Sequence, residues 1–423
     1  MACFQIPHQQ LHVFWRSLSV NQKLGHKLTS IVDSRRSYSL LFKKDSCKER
    51  PSSSSGFCKL VQPIHLRGVR SAAQNATLGQ STLVDTAPRE DGSTAVNPSN
   101  GRVMLIDGTS IIYRAYYKLI AKLHHGHLSH ADGNGDWVLT IFSALSLIID
   151  VLEYIPTHVV VVFDYDGMNF RHTLYPSYKS NRPPTPDTVV QGLQYLKASL
   201  KAMSIKVIEV PGVEADDVIG TLAVKSVNDG FKVRVVSPDK DFFQILSPSL
   251  RLLRIAPRGF EMSSFGMEDF AKKYGTLEPS QFVDVVSLVG DKSDNIPGVD
   301  GIGDVHAIRL ITKFGSLENL LHHVDEVEEE RIKKILCLFF QALIANAEQA
   351  ILSKNLAMLR SDLPSYMVPY TTKDLPFIKP EDDGQKFTSL LTAISAYAEG
   401  FSADTIIRRA SNLWKKLETQ GIH

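Results

Sequence analysis

Four short runs rich in β-branched residues, "RVMLI", "THVVVVF", "KVIEV" and "FKVRVVS", are separated by longer amphipathic stretches between residues 102 and 237. Such alternation is the mark of βαβ units wound around a largely parallel sheet. The spacers read as helices: in "PDTVVQGLQYLKASLKAM", Val189, Leu193, Leu196, Leu200 and Met203 recur on one face, which predicts a core-facing stripe. Each strand runs out into acid. "LIDG" brings Asp107, "VVFDYDG" brings Asp164 and Asp166, "VEADD" brings Glu214, Asp216 and Asp217, and "SPDKD" brings Asp239 and Asp241. Ligand sites in open α/β sheets gather beyond the carboxyl ends of the strands, so one edge of this sheet is expected to concentrate negative charge.

Two carboxylates ~4 Å apart repel by roughly 4 kcal/mol at an effective dielectric near 20. Helix capping alone would account for one isolated "EADD", and Asp is a common turn residue. Carboxylates so crowded need water, protons, a helix N-terminus or cations, and four acidic loops on one edge are hard to dismiss as turns and caps alone. A fifth acidic group lies in "PSQFVDVVSLVGDKSDNIPGVDGIGDVHAIRLITKFGSLENLL", residues 279–321. There a helical pattern ends near Gly290, Asp291 and Asp294 follow, and "GVDGIG" sets Gly298, Gly301 and Gly303 before a second helical pattern. Glycine lets a backbone approach closely, and N–H groups at a helix start can grip a phosphate without reading a base.

With 423 residues, 43% hydrophobic and 22% charged, the chain has room for two globular domains. Its net charge of +2 is unevenly spread: residues 1–84 carry +9 and residues 85–423 carry −7. The first 84 residues combine scattered Arg and Lys with thirteen serines and three acids, a composition expected of an organellar transit peptide or a disordered basic segment. Residues 85–100 read as a linker, 101–278 as a catalytic core, 279–365 as a second, helical subdomain and 366–423 as a tail of unassigned role. Cys3, Cys47 and Cys58 lie in the leader and leave Cys337 alone, so no disulfide framework or Cys-based zinc site is expected. His124, His125, His127 and His130 lack a nearby Cys and are expected in a solvated loop. The apolar stretch "WVLTIFSALSLIIDVLEYI" is interrupted by Ser143, Ser146, Asp150 and Glu153, which predicts a buried helix and a protein with no membrane span.

Taken together, "MLIDGTSIIYRAYY", "VVFD…FRHTLYPSYKSNRPPTPD", "GVEADDVIGTLA", "DKDFFQIL", "GDKSDNIPGVDGIG" and "NAEQAILSKNLAMLRSDLP" resemble the 5′ nuclease family, in particular the 5′–3′ exonuclease domain at the N-terminus of bacterial DNA polymerase I. The resemblance runs from about 102 to 363 and implies a PIN-like α/β core followed by a helix-hairpin-helix-type DNA-binding subdomain. It implies that Asp107, Asp164, Glu214, Asp216, Asp217, Asp239, Asp241, Asp291 and Asp294 hold metal, with the first five as an inner group. All-oxygen donors suit two or more Mg²⁺ ions, or Mn²⁺, rather than zinc, and such ions activate water and neutralise a phosphodiester. Asp166 has no counterpart among the family's ligands and reads as a turn residue.

The family resemblance also places the basic stretch in a helical arch that the 5′ strand passes. Lys179 and Arg182 are then expected to act in catalysis, and Arg171, Tyr178, Lys179, Arg182, Lys240, Gly298, Gly301 and Gly303 to contact DNA, Tyr178 by stacking on a base. Lys240 is equally read as a simple counter-charge. The Gly-rich hairpin is expected to hold K⁺. Two departures, Pro238 in place of the usual Gly and the unusual "HHGHLSHADGNGDWVL", alter loops but remove no ligand. The expected partners are DNA with 5′ ends or flaps, RNA–DNA hybrids and an organellar DNA polymerase, and the expected protein is a monomer of chloroplast or mitochondrion. Two other readings stand beside this one. "FDYDG" resembles the nucleophile motif of haloacid-dehalogenase-like phosphatases, and the same fold could serve a DNA-junction binding protein without activity.

Overall fold

The computed structural model describes residues 101–126, 135–256, 261–323 and 343–419. The proposed leader, the linker, His127, His130 and Cys337 lie outside these residues. Among the described residues no helix is long and apolar enough to cross a membrane.

Six strands form one sheet: β1 (Arg102–Asp107), β2 (His158–Val162), β3 (Lys206–Ile208), β4 (Lys232–Val236), β5 (Leu250–Ile255) and β6 (Met262–Phe265). Their order is β3-β2-β1-β4-β5-β6. All neighbouring pairs are parallel except β5 with β6. The four strands legible in the sequence are the four at the β3 side and centre. β5 and β6 complete the sheet and were not anticipated, because Arg251 and Arg254 interrupt one and "MSSF" lacks apolar alternation. The chain winds outward from β1 through β2 to β3, then returns to β4 on the other side. This reversal between β1 and β4 is a topological switch point, where helix-bearing loops diverge and leave a crevice.

Every residue of β2 is buried, as a central strand covered on both faces requires. Two apolar cores result. One lies under α5 (Ala215–Asn228) and reaches α7 (Phe282–Val289) and α8 (Asp304–Phe314), drawing in Val218, Ile219, Phe243, Phe282 and Ile311. The other faces α1 (Gly108–His124), α2 (Asp136–Leu152) and α4 (Asp187–Ala202). Helix α2 is the buried helix expected from its sequence, and Val189, Leu196, Leu200 and Met203 of the α4 stripe are all in this core.

The segment read as a tail is folded over its described part. Helices α11 (Gln385–Ser395) and α12 (Asp404–Thr419) add Phe387, Leu391, Leu413, Trp414 and Leu417 to the α2 core. Arg409 of α12 fastens this layer to α2, pairing with Asp150 and with Glu153 at 3.0 Å and donating to Ser146 at 2.9 Å. Gly384 precedes α11 at φ 78°, and a Cβ there would lie 2.1 Å from the Trp414 ring, so glycine is required on both backbone and packing grounds.

Candidate metal and nucleic-acid site

The acidic loops meet at the switch point. Asp107 ends β1 and caps α1, its Oδ1 accepting from the Ser110 N–H at 2.9 Å. Its Oδ2 accepts from the Ser110 hydroxyl and, at 2.9 Å, from Ser237 Oγ at the end of β4. The shared carboxylate therefore ties the two diverging strands together. Asp164, beyond β2, caps a helix from outside: its Oδ1 accepts from the N–H of Ala215, the first residue of α5, at 2.8 Å. Free N–H groups and the positive helix end favour an anion there. Asp239 turns the chain after β4, accepting from the Asp241 N–H at 2.9 Å.

Electrostatics divide the cluster into connected groups. Burial pushes the Asp107 carboxyl up to about 6 against donation from Ser110, and Asp164 adds to the rise. Asp216 is raised well above the usual carboxylate range by burial and by repulsion from Asp107, Asp239, Asp164 and Glu214. Burial likewise raises Asp241, with Asp239, Asp294 and Asp291 adding repulsion, and raises Asp239 itself, which faces Asp294 and Asp291. Asp239 is thus the link between the β1/β2/α5 carboxylates and those of the 291–294 turn. Lys179 eases Asp239 and Arg171 eases Asp241, but burial and repulsion outweigh them, so these carboxylates are left short of counter-charge.

Glu214 is the exception. Burial works to raise it, but Lys179 and Arg171 outweigh that and hold it below the usual range. Its Oε1 accepts from Asn169 Nδ2 and Lys179 Nζ, both at 2.7 Å, and its Oε2 from Arg171 Nη1 and the Tyr178 hydroxyl, both at 3.2 Å. Asp294 accepts from Arg182, and from the Tyr178 hydroxyl at 3.1 Å.

Three sequence expectations are corrected here. Arg171, expected to contact DNA, is instead 3% exposed with all five of its N–H donors engaged inside the protein. Nε donates to Leu356 O at 2.9 Å, Nη1 to Asp217 Oδ2 at 2.6 Å and to Glu214, and Nη2 to Asp217 Oδ1 at 2.9 Å and Met358 O at 2.8 Å. Asp217 is accordingly drawn out of the open cluster. It is fully buried, and its Oδ1 also accepts from the Arg360 N–H at 3.0 Å, so both oxygens already have partners. Tyr178 is 3% exposed, lies edge-on to His172, and has no free ring face for a base. All three sit where a fork-shaped cation and a phenol join the α3 helix (Phe170–Leu174) to α5 and to the end of α10 (Ala347–Ala357).

Lys179 and Arg182 do border the cluster, Arg182 with half of its side chain exposed. Lys240 projects to solvent between Asp239 and Asp241. In the hairpin, Gly301 adopts φ 83° and Gly298 fits flush against the end of α7, where a Cβ would stand 2.3 Å from Val289 O. Gly303 caps α8 with open space around it, so its role is the cap and not close approach. Asn169, Ser110 and Ser237 are site residues that the sequence reading missed. "DGTS" contained a signal, since a hydroxyl residue three positions after an N-cap Asp can return a hydrogen bond.

Among the described residues, no three His, Cys, Asp or Glu side chains converge into a closed metal shell. The donor set nevertheless fits a hard cation: it is all carboxylate, and four of its members carry charge that burial and repulsion oppose.

Residues 102–275 match the family described as 5′-3′ exonuclease, N-terminal resolvase-like domain, and residues 277–383 match 5′-3′ exonuclease, C-terminal SAM fold. DNA polymerase I of Bacillus caldotenax is 38% identical over 264 residues, which is 62% of this chain and 28% of that protein. The thermostable DNA polymerase I of Thermus aquaticus is 35% identical over 264 residues, 62% of this chain and 29% of that protein. The chain thus spans under a third of the length of these relatives. The T5 D15 protein, crystallised with metal ions, superposes with a TM-score of 0.48 at 21% identity, covering 70% of this chain and all of that one; so loose a likeness transfers no site. With both halves of the domain matched in order and the sheet and helices that the match implies, the chain belongs to the 5′–3′ exonuclease family, related to the 5′ nuclease domain of DNA polymerase I.

Proposed function

We propose that this protein is a metal-dependent 5′–3′ exonuclease and 5′-flap endonuclease that hydrolyses phosphodiester bonds of DNA. The observation that supports this reading is the mutual repulsion that links eight carboxylates, Asp107, Asp164, Glu214, Asp216, Asp239, Asp241, Asp291 and Asp294, beside the switch point, with Lys179 and Arg182 at their border. These eight would hold Mg²⁺ or Mn²⁺, two or more ions sharing the set; Asp217 supports the site through Arg171. When bound, the cations supply an activated water and neutralise charge on the phosphodiester. The chain's own residues do the rest. Ser110 and Ser237 fix the Asp107 carboxylate, the start of α5 fixes Asp164, and Lys179 and Arg182 face the anionic backbone. Residues 101–278 serve as the catalytic core. Residues 279–365 supply the duplex grip, in which the Gly298–Gly303 hairpin lays backbone N–H groups against phosphates and is a place for K⁺.

The same reading takes the protein to act as a monomer. The serine-rich, basic composition of residues 1–84 supports an organellar address, chloroplast or mitochondrion, and so a role in organellar DNA replication and repair, removing flaps or RNA primers alongside a DNA polymerase. The phosphatase reading fares worse: Asp164, its would-be nucleophile, is engaged with the α5 N-terminus and surrounded by other acids. The test is a 5′-labelled flap duplex incubated with the purified chain. Short 5′ products with Mg²⁺ and none with EDTA support the proposal. Binding without cleavage indicates a junction-binding protein, and release of phosphate from a small monoester without DNA cleavage indicates the phosphatase.

A further inference from the structure

The cations of residues 171–182 are not shared evenly among the acids. Apart from the buried Arg171–Asp217 pair, Glu214 and Asp294 take them: Lys179 Nζ lies 2.7 Å from Glu214 and 3.6 Å from Asp294, Arg182 pairs with Asp294, and Arg171 also reaches Glu214 at 3.2 Å. Among the described residues, no Lys or Arg nitrogen comes within ion-pair distance of Asp107, Asp164, Asp216, Asp239, Asp241 or Asp291. Glu214 starts α5 and Asp294 belongs to the turn after α7, so one ammonium bridges the two sides of the cluster. A bridging point charge between two carboxylates is also what a divalent cation would offer them.

We propose that Lys179, assisted by Arg182, is an internal counter-cation that competes with divalent metal for Glu214 and Asp294, and that metal binding hands its ammonium over to the DNA backbone. The inference rests on the nuclease reading of the site. The structure restricts the exchange to side chains. Lys179 has φ 55°, in the left-handed region, and its N–H donates to Asp294 O at 2.9 Å. On either side, Asn181 Nδ2 donates to Lys292 O at 2.6 Å and Asn295 Nδ2 to Ser177 O at 2.7 Å. Laced in this way, the backbone of residues 177–182 stays on the 291–295 turn, and the exchange needs only a change of rotamer along the four-carbon Lys179 stem. The two anchored carboxylates differ from Asp217, whose Arg171 partner is buried with every donor engaged and does not exchange.

Exchange of this kind couples two ligands. Metal takes the carboxylates from Lys179, and the released ammonium then favours a phosphodiester anion, so each ligand raises the affinity for the other by the same factor. Three measurements on the full chain test it: Mn²⁺ affinity by calorimetry, affinity for a 5′-flap duplex with and without non-cleaving Ca²⁺, and flap cleavage with Mg²⁺. Lys179→Met is expected to bind Mn²⁺ at least about 5-fold more tightly than the native chain, and to lose most of the gain in DNA affinity that Ca²⁺ confers. Lys179→Arg, which keeps the charge, is expected to stay within about 2-fold of native on Mn²⁺. Arg182→Gln, at a half-exposed position, should move Mn²⁺ affinity in the same direction as Lys179→Met and gives the readout should that variant not fold. Unchanged or weaker Mn²⁺ binding by both variants, or an undiminished Ca²⁺ gain, overturns the exchange while native flap cleavage stands. Loss of native cleavage would instead sink the nuclease reading.

Discussion

Replacing Arg171 with Met separates a structural role from a DNA-contacting one. The guanidinium is 3% exposed, joins two oxygens of a fully buried Asp217, and ties the carbonyls of Leu356 and Met358 to α3. Met keeps much of the apolar volume but leaves Asp217 with the Arg360 N–H as its remaining partner. Breaking a buried ion pair from one side costs about 3–5 kcal/mol, because the surviving charge stays desolvated. Against the 5–15 kcal/mol typical of a folded domain, that loss should lower the urea midpoint markedly. The double variant Arg171→Met/Asp217→Leu removes both charges, and buried pairs replaced by apolar residues are often nearly neutral. The double variant should therefore be more stable than Arg171→Met alone by about 2 kcal/mol or more. Urea unfolding followed by circular dichroism and by fluorescence, with coincident transitions as the two-state check, measures each corner of the cycle. If Arg171→Met costs under about 1 kcal/mol yet lowers the salt dependence of DNA binding by about one phosphate contact, the buried-clamp account is refuted and Arg171 contacts DNA.

Asp216→Asn, in the most crowded part of the cluster, should lower Mg²⁺-dependent flap cleavage by more than about 100-fold while duplex binding in EDTA is retained; labelled-flap electrophoresis and anisotropy report both. Gly298→Ala should destabilise by about 1–3 kcal/mol, since its Cβ would meet the Val289 backbone at 2.3 Å, whereas Gly303→Ala, with nothing within 4 Å, should cost only the weaker N-cap preference of Ala, about 1 kcal/mol or less; thermal denaturation ranks the two. Stability in EDTA should fall as pH rises. The folded Asp107 carboxyl lies at about 6 instead of 3.8, so the native state binds the extra proton and loses about 3 kcal/mol between roughly pH 4 and 6. Mn²⁺ should restore most of that loss at pH 7, and Asp107→Asn should flatten the EDTA profile; a midpoint that rises with pH from 4 to 6 would contradict the assignment.

The fold was legible where periodicity and burial coincide. β1 to β4 are short runs rich in β-branched and aliphatic residues, β2 buried along its whole length and β4 broken only by Arg234, and the α4 stripe is read directly from its spacing. β5 and β6 lie at the sheet's far side, where Arg251 and Arg254 are tolerated and the pattern fades. Carboxylates could be placed at strand ends from sequence alone, because strand ends fix which edge they share. Their partners could not: Arg171 and Asp217 are 46 positions apart, and whether an arginine meets a phosphate or a buried aspartate is decided by packing of α3 against α10. The same holds for Tyr178, whose ring is enclosed by Val283, Ile296, Leu356 and Ala357, residues from three other segments. The α12 pattern of Ile406, Ala410, Leu413, Trp414 and Leu417 was present in the sequence. What it packs on was not.

That last helix has a consequence for how the protein is made. The layer beneath α2 draws on residues from Met104 to Leu417, so a ribosome must release the chain through Leu417 before this side of the sheet can be sealed. Until then the α2 core lacks Phe387, Leu391, Leu413, Trp414 and Leu417, and a chain ending near residue 383 would keep the surface they cover permanently on offer to chaperones and to its own copies.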